Sequence, residues 1–156
     1  YGLMYVEPEE GLPKVDHEFY VMQSEFYYDE AKKEGDPATY SHQKGLDEQP
    51  SVVVFNGQCG SMVGEDALKA KVGDKVRIFF GNGGPNLISS FHVIGEIFDR
   101  VYREGDLISP PGRSIQTTLV PAGGATVVEF DLETAGNYTL VDHAIFRVDK
   151  GAVGFL

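Results

Sequence analysis

The chain has 156 residues, which is enough for one domain with a sizeable core and too few for two full domains. Its apolar fraction of 42% is that of a globular protein and argues against disorder. The formal net charge of −11 argues against nucleic-acid binding, because so acidic a chain repels phosphate backbones.

The N-terminal part of the chain combines short apolar runs with breakers. Residues 1–6 are apolar and predict a strand, and the acidic stretch 7–13, with its prolines and glycine, is interpreted as a linker. Residues 17–28 alternate between apolar and polar side chains and predict a second strand. The charged stretch 29–50 is interpreted as a long surface loop with room for a helical turn at 29–33.

Beyond residue 50, turn signals separate short apolar runs at a regular spacing of about 8–12 residues. These runs predict strands at 51–56, 75–80, 89–97, 114–120, 125–132, 136–141 and 144–148. Glu129 and Asp131 are expected to face solvent from their strand. Short strands with such spacing indicate an all-β fold, either an antiparallel sandwich or a Greek-key barrel.

The four histidines are the first candidates for chemistry. His17 follows the linker and His42 lies in the charged loop, so both are expected to be solvated. His92 and His143 lie in apolar strand contexts, where a buried imidazole must be hydrogen-bonded or coordinated. Composition alone leaves two interpretations open for each of them, a structural histidine or a site residue.

The pattern around these two histidines resembles a cupredoxin. In that fold a His from an early strand, and Cys, His and Met near the last strand, bind copper at one end of the barrel. His92 resembles the early-strand ligand, while Asp142 stands at the Cys position and Ala152 at the Met position. The single cysteine, Cys59, lies far away in a Gly-rich turn, and it excludes an internal disulfide. The resemblance implies a cupredoxin scaffold without its own blue-copper site.

Several segments resemble the second half of copper-containing nitrite reductases, in the same order and spacing. They are YGLMYVEP at 1–8, EGLP at 10–13, VFNG at 54–57, GNGGPN at 81–86, SFHVIGEIFD at 90–99, VPAGG at 120–124 and GNYTLVDH at 136–143. The resemblance covers essentially the whole chain. It implies a Greek-key cupredoxin-like β-sandwich at 14–156, preceded at 1–13 by the end of another domain's last strand and a linker. The chain is therefore expected to be part of a longer protein.

The resemblance also implies an activity, the reduction of nitrite to nitric oxide with one electron and two protons. A type 1 copper in the missing first domain receives the electron from a small redox protein that docks there. A type 2 copper between the subunits of a homotrimer binds nitrite through three histidines, two of them from a neighbouring first domain. By itself the present chain is expected to be inactive.

Individual residues match the family's functional positions. His143 matches the third ligand of the type 2 copper, and His92 matches the histidine that manages protons together with a first-domain Asp. Ile94 matches the apolar residue that confines nitrite, and Thr117, with Gln116, matches the position that orients the catalytic histidine. Without the family resemblance, ordinary strand packing would explain Ile94 and Thr117.

Location is inferred from the resemblance alone, because family members are exported and are periplasmic or attached to the outer membrane. The sequence contains no apolar run near the roughly 18 residues of a membrane helix, so no transmembrane segment is expected. No signal peptide is visible. A free thiol is unusual in an exported protein, and we interpret Cys59 as incidental packing.

The alternative interpretation is a copper-free cupredoxin-like structural domain of another multicopper protein, such as a multicopper oxidase. The sequence upstream of the chain would separate the two interpretations. A first domain with a blue-copper loop and type 2 histidines indicates the reductase, whereas three domains with His-x-His pairs indicate an oxidase. A free-standing blue-copper carrier is disfavoured by the missing Cys and Met.

Overall fold

Two β-sheets pack face to face around one hydrophobic core, so the predicted β-sandwich is confirmed. The computed structural model describes residues 1–31 and 33–156, with a five-stranded and a four-stranded sheet. The strands are β1 His17–Phe26, β2 Tyr28–Asp29, β3 Thr39–Tyr40, β4 Val52–Phe55, β5 Lys75–Asn82, β6 Ser89–Ile94, β7 Arg100–Tyr102, β8 Thr117–Val120, β9 Ala125–Asp131, β10 Thr139–Asp142 and β11 Val153–Phe155.

The larger sheet has the order β4-β1-β5-β9-β7, and the smaller has the order β11-β10-β6-β8. The β1–β5 pair is parallel, and the other strand pairs in the described chain are antiparallel. A short helix, α1 His42–Leu46, and 3₁₀ turns lie between strands; the turns are Gly64–Asp66, Arg103–Gly105 and Ile145–Arg147. Among the described residues, no helix has the length and apolar character that crossing a membrane requires.

The core follows from the two-residue period of the strands. Val76, Ile78 and Phe80 of β5 and Phe91 and Val93 of β6 are fully buried, whereas the residues between them point to the outer faces of the sheets. The rings of Phe80 and Phe91 stack with centroids 4.0 Å apart. Because each large apolar side chain contributes roughly 1.5–3 kcal/mol when buried, this stack holds the two sheets together at their centre.

Residues 1–6, predicted as a strand, form no strand and lie on the outer face of the five-stranded sheet. The Tyr1 hydroxyl is 2.5 Å from Ser24 Oγ, and the Tyr5 ring centroid is 4.9 Å from that of Phe79. The prediction was wrong because the apolar side chains serve to cover the sheet, while the backbone joins no ladder.

The predicted strand at 144–148 is also wrong, since a 3₁₀ turn occupies Ile145–Arg147. The Asp142 carboxylate accepts the backbone N–H of Ala144, and such a local hydrogen bond favours a turn over strand pairing. The strands β7 and β11 were missed because three residues are too few to show alternation. The stretch 29–50, predicted as a loop, contains β3 and α1. The helical turn considered at 29–33 is not seen at its described residues, since Asp29 belongs to β2 and 30, 31 and 33 are not helical. Residue 32 lies outside the described residues.

An ion-pair network on the same outer face corrects the expectation for Glu129. Its side chain points away from the core, but it is buried rather than solvated. Arg77, only 4% exposed, donates to Glu129 at 2.7 Å and to Glu18 at 2.5 Å. Arg77 also donates to the main-chain carbonyl of Pro13. The linker at 7–13 is therefore tied to the sheet at its end.

Replacing Arg77 by Ala should lower the free energy of unfolding by about 3 kcal/mol, because the buried Glu129 carboxylate then keeps Arg100, at 3.1 Å, as its one charged partner among the described residues. Chemical denaturation measures the change. Lys75→Ala is the matched control, since Lys75 pairs with Asp131 on the surface and its loss should cost less than about 1 kcal/mol. Equal losses in the two variants would contradict this account.

Deprotonation of the Tyr27 phenol should destabilise the fold at high pH. Burial raises the pKa of Tyr27 from 10.0 to about 12, and the hydroxyl donates to Glu25 at 2.9 Å. Because the folded pKa lies above the unfolded one, this stability is complete below pH 10 and is lost as the pH rises through 12. Denaturation across that range should show a falling free energy of unfolding, with a shallower fall in Tyr27→Phe. The exposed Tyr40→Phe variant should keep the parent slope.

Candidate functional site

His92 and His143 lie side by side on the outer face of the four-stranded sheet. On β6, Phe91 and Val93 point into the core, so His92 points to the opposite face. Antiparallel pairing sets Val141 of β10 opposite His92, and His143 follows directly after that strand. The two imidazole rings have centroids 5.4 Å apart and an interplanar angle of 51°. The strand pairing thus brings the two histidines into one site.

His92 is held in one orientation by a main-chain acceptor. His92 is 5% exposed, and its Nδ1 lies 2.5 Å from the carbonyl oxygen of Gln116. A carbonyl oxygen can only accept, so Nδ1 donates its hydrogen and Nε2 is left for other chemistry. Thr117 is the register partner of His92 across the β6–β8 ladder. Within the described residues, the orienting hydrogen bond comes from Gln116 and not from the Thr117 hydroxyl.

His143 is exposed, in contrast to His92. Its backbone N–H donates to the carbonyl oxygen of Ser90 at 2.8 Å, which fixes the chain where β10 ends. Among the described residues, no hydrogen bond engages its ring nitrogens. A neutral imidazole in this state has a nitrogen lone pair available for a metal ion.

The chain has the donor set for part of a copper site. The described residues contain no group of three or more His, Cys, Asp or Glu side chains placed to hold a metal ion. Asp142 and Ala152, at the positions that match the cupredoxin thiolate and thioether, are fully buried and offer no sulfur ligand. His143 fits as a single imidazole ligand. The residues therefore fit a copper site completed by other ligands, and do not fit a self-contained blue-copper site.

Apolar side chains surround the histidines on this face. Ile94, two residues from His92 on the same strand, is 44% exposed, and Leu119 of β8 is 66% exposed. Phe146, in the turn after His143, is 82% exposed. Several large exposed apolar side chains near one site are typical of a surface that another protein surface covers.

The other sulfur and imidazole groups lie elsewhere. Cys59, expected to lie far from the Met position, is close to it: its Sγ is 3.5 Å from the Lys150 carbonyl, and a Cβ at Gly151 would lie 2.6 Å from that sulfur. His17 pairs with Asp74 at 2.8 Å. His17, expected to be solvated, is therefore partly buried and paired. The sequence could not predict the contact that brings Cys59 to Gly151, because the two residues are far apart in the chain.

Sequence reasoning missed two further features of the site, the Ser90 carbonyl and the hydrogen-bonding role of Asp142. Main-chain acceptors leave no trace in the side-chain pattern, so Ser90 gave no signal. Asp142 did give one, because an aspartate often caps the backbone two residues further on. Its carboxylate accepts the N–H of Ala144 at 3.1 Å.

These features define a cupredoxin-like β-sandwich that presents a histidine pair on one sheet and has Asp142 and Ala152 where a blue-copper site has its sulfur ligands. A copper-containing nitrite reductase from Neisseria gonorrhoeae is 55% identical to the chain over 157 aligned residues, which cover 100% of the chain. A solved copper-containing nitrite reductase from Thermus scotoductus matches with a TM-score of 0.79 and 33% identity, over 92% of this chain and 31% of that one. The chain belongs to the copper-containing nitrite reductase family.

The match is to one part of these proteins, since the chain spans 40% of the length of the Neisseria protein. A solved multicopper oxidase matches over 96% of this chain and 46% of its own, with a TM-score of 0.74. At 22% identity, that likeness shows the shared fold alone. No family model matches the chain.

The Gln116 carbonyl should fix the neutral tautomer of His92 with the proton on Nδ1. Long-range ¹H–¹⁵N NMR on the labelled chain, at a pH where the rings are neutral, measures this. The exposed His42 is the control, because it lacks a fixed acceptor among the described residues and should show a mixture of tautomers. A predominantly Nε2–H ring at His92 would contradict the geometry.

Proposed function

We propose that residues 14–156 are the second cupredoxin-like domain of a copper nitrite reductase, and that residues 1–13 connect it to a preceding domain. The observation that carries the proposal is the pairing of an exposed imidazole, His143, with a buried imidazole, His92, on one sheet face. The 55% identity to a nitrite reductase, over 100% of the chain, supports the same assignment.

His143 is proposed as the one ligand that this chain gives to a type 2 copper. Its ring is exposed at the end of β10, while its backbone is held by the Ser90 carbonyl. Two further histidines would come from the first domain of a neighbouring subunit. With copper bound, the site would supply a Lewis acid for nitrite and the entry point for one electron.

His92 is proposed to handle protons in this reaction. Nitrite, one electron and two protons give nitric oxide and water, so a proton must reach the departing oxygen. With Nδ1 engaged by the Gln116 carbonyl, Nε2 of His92 is the atom that can hold a proton and pass it on. Thr117 lies opposite His92 in the ladder, and we propose that with Gln116 it helps to orient the ring. The mainly buried position of His92 keeps its ring orientation constant during that transfer.

The apolar face around the histidines has two proposed uses. Ile94, on the same side of β6 as His92, would confine nitrite beside the metal. The exposed Ile94, Leu119 and Phe146 side chains would be covered by the first domain of the neighbouring subunit in a homotrimer. That first domain would hold the type 1 copper and receive the electron from a small redox protein. A periplasmic or outer-membrane location is proposed on the same family grounds.

In the complete protein, His143→Ala should empty the type 2 site and abolish nitrite reduction, because an imidazole ligand is lost. His92→Ala should keep the copper and slow turnover by about 100-fold or more, because proton delivery is lost. Copper stoichiometry, electron paramagnetic resonance and nitric oxide production measure the two effects separately. His42→Ala, which removes an exposed histidine in α1, is the matched control and should behave like the parent.

The contrast between the two variants is the decisive part of this test. If type 2 copper and turnover survive in His143→Ala, the ligand assignment is wrong. If His92→Ala loses copper as fully as His143→Ala does, His92 is a ligand and the proposed proton role is wrong.

A further inference from the structure

Asp142 is a fully buried carboxylate next to an exposed imidazole. It is the last residue of β10, it has no exposed surface, and it directly precedes His143. Burying a carboxylate is costly unless its oxygens are hydrogen-bonded. The arrangement of donors around Asp142 therefore shows what this residue does in the fold.

One carboxylate oxygen ties the backbone just after His143 to the neighbouring strand β6. Asp142 Oδ1 accepts the N–H of Ser90, on the neighbouring strand, and the N–H of Ala144, each at 3.1 Å. Ser90 in turn accepts the N–H of His143 through its carbonyl oxygen at 2.8 Å. The peptide groups that flank His143 are thus fixed to each other and to β6.

The other carboxylate oxygen ties this turn to distant parts of the domain. Asp142 Oδ2 accepts from Gln23 Nε2 at 2.8 Å and from Arg147 Nη1 at 2.5 Å. Gln23 lies on β1 in the opposite sheet, and its Oε1 accepts from Ser89 at 2.7 Å. Arg147 also donates to the Ile88 carbonyl at 2.6 Å. Both sheets and the 3₁₀ turn after His143 converge on one carboxylate.

With its oxygens engaged in this way, Asp142 is a poor candidate for a metal ligand. The His143 ring, by contrast, has no hydrogen-bond partner among the described residues, so its direction depends on the backbone beneath it. A ligand whose backbone is already fixed loses less conformational freedom when it binds a metal ion. Residues that hold a metal ligand in place therefore raise the affinity for the metal.

We propose that Asp142 is a positioning residue for His143: its carboxylate, held by Gln23 and Arg147, fixes the turn from which the imidazole is presented to a metal ion. The proposal rests on the proposed role of His143 as a copper ligand. Its first part, the ordering of His143, holds for the chain without any metal.

The first test is made on the metal-free chain. In Asp142→Ala, ¹⁵N relaxation should show increased backbone motion at His143 and Ala144, and Arg147→Met should cause a smaller increase at the same residues. Arg77→Ala is the matched control, because it weakens the fold from the outer face of the opposite sheet and should leave His143 ordered. An unchanged His143 in a folded Asp142→Ala chain would overturn the proposal.

The second test uses the complete protein loaded with copper. Asp142→Ala and Arg147→Met should weaken copper binding at the type 2 site, on the order of tenfold for Asp142→Ala, and should alter its electron paramagnetic resonance spectrum. Arg77→Ala should leave both unchanged at a temperature where all variants are folded. Parent-like copper affinity and spectrum in Asp142→Ala would overturn the proposal, even if the variant is less stable.

The two tests separate this proposal from the function on which it rests. If the parent protein binds no copper through His143, the proposed function fails, and the relaxation comparison still decides whether Asp142 orders His143. If copper binds through His143 but neither variant changes His143 order or copper affinity, only the positioning role is overturned.

Discussion

The antiparallel pairing of β6 with β10 is the constraint on which the site depends. Its register sets Val141 opposite His92, and the next outward-facing residue, His143, then lies beside the His92 ring. A slip of one residue would turn His92 into the core and Phe91 to the surface. The stacking of Phe91 on Phe80 opposes such a slip. Core packing and site geometry are therefore fixed by the same residues.

The two outer faces of the sandwich have different characters. On the five-stranded sheet, residues 1–13 and the buried Arg77–Glu129 pair cover the surface. On the four-stranded sheet, Ile94 and Leu119 stay exposed beside the histidines. The covered face stabilises the domain. The other face, with exposed apolar side chains beside an imidazole free of ring hydrogen bonds among the described residues, has the character of a protein-binding surface. This asymmetry is consistent with the proposed role of His143 as a ligand in a site that other ligands complete.

Alternation predicted the long strands well, because a buried face imposes a two-residue period. Alternation failed in two places. Residues 1–6 are apolar because they cover the sheet, although they form no strand, and Glu129 faces outward but is buried because it pairs with Arg77. The residues alone left His92 and His143 between structural and functional interpretations, and the family resemblance was needed to separate them. The Gln116 carbonyl and the donors around Asp142 come from distant segments, so no local pattern contains them.

The proposed function requires that His143 binds a copper ion whose other ligands come from outside this domain. Anomalous X-ray scattering at the copper edge, on crystals of the complete protein, tests it most directly. We expect a copper peak at coordination distance from a ring nitrogen of His143, with the His92 ring nearby but not bound. A peak bound by His92, a peak at Asp142, or the absence of copper at His143 would contradict it.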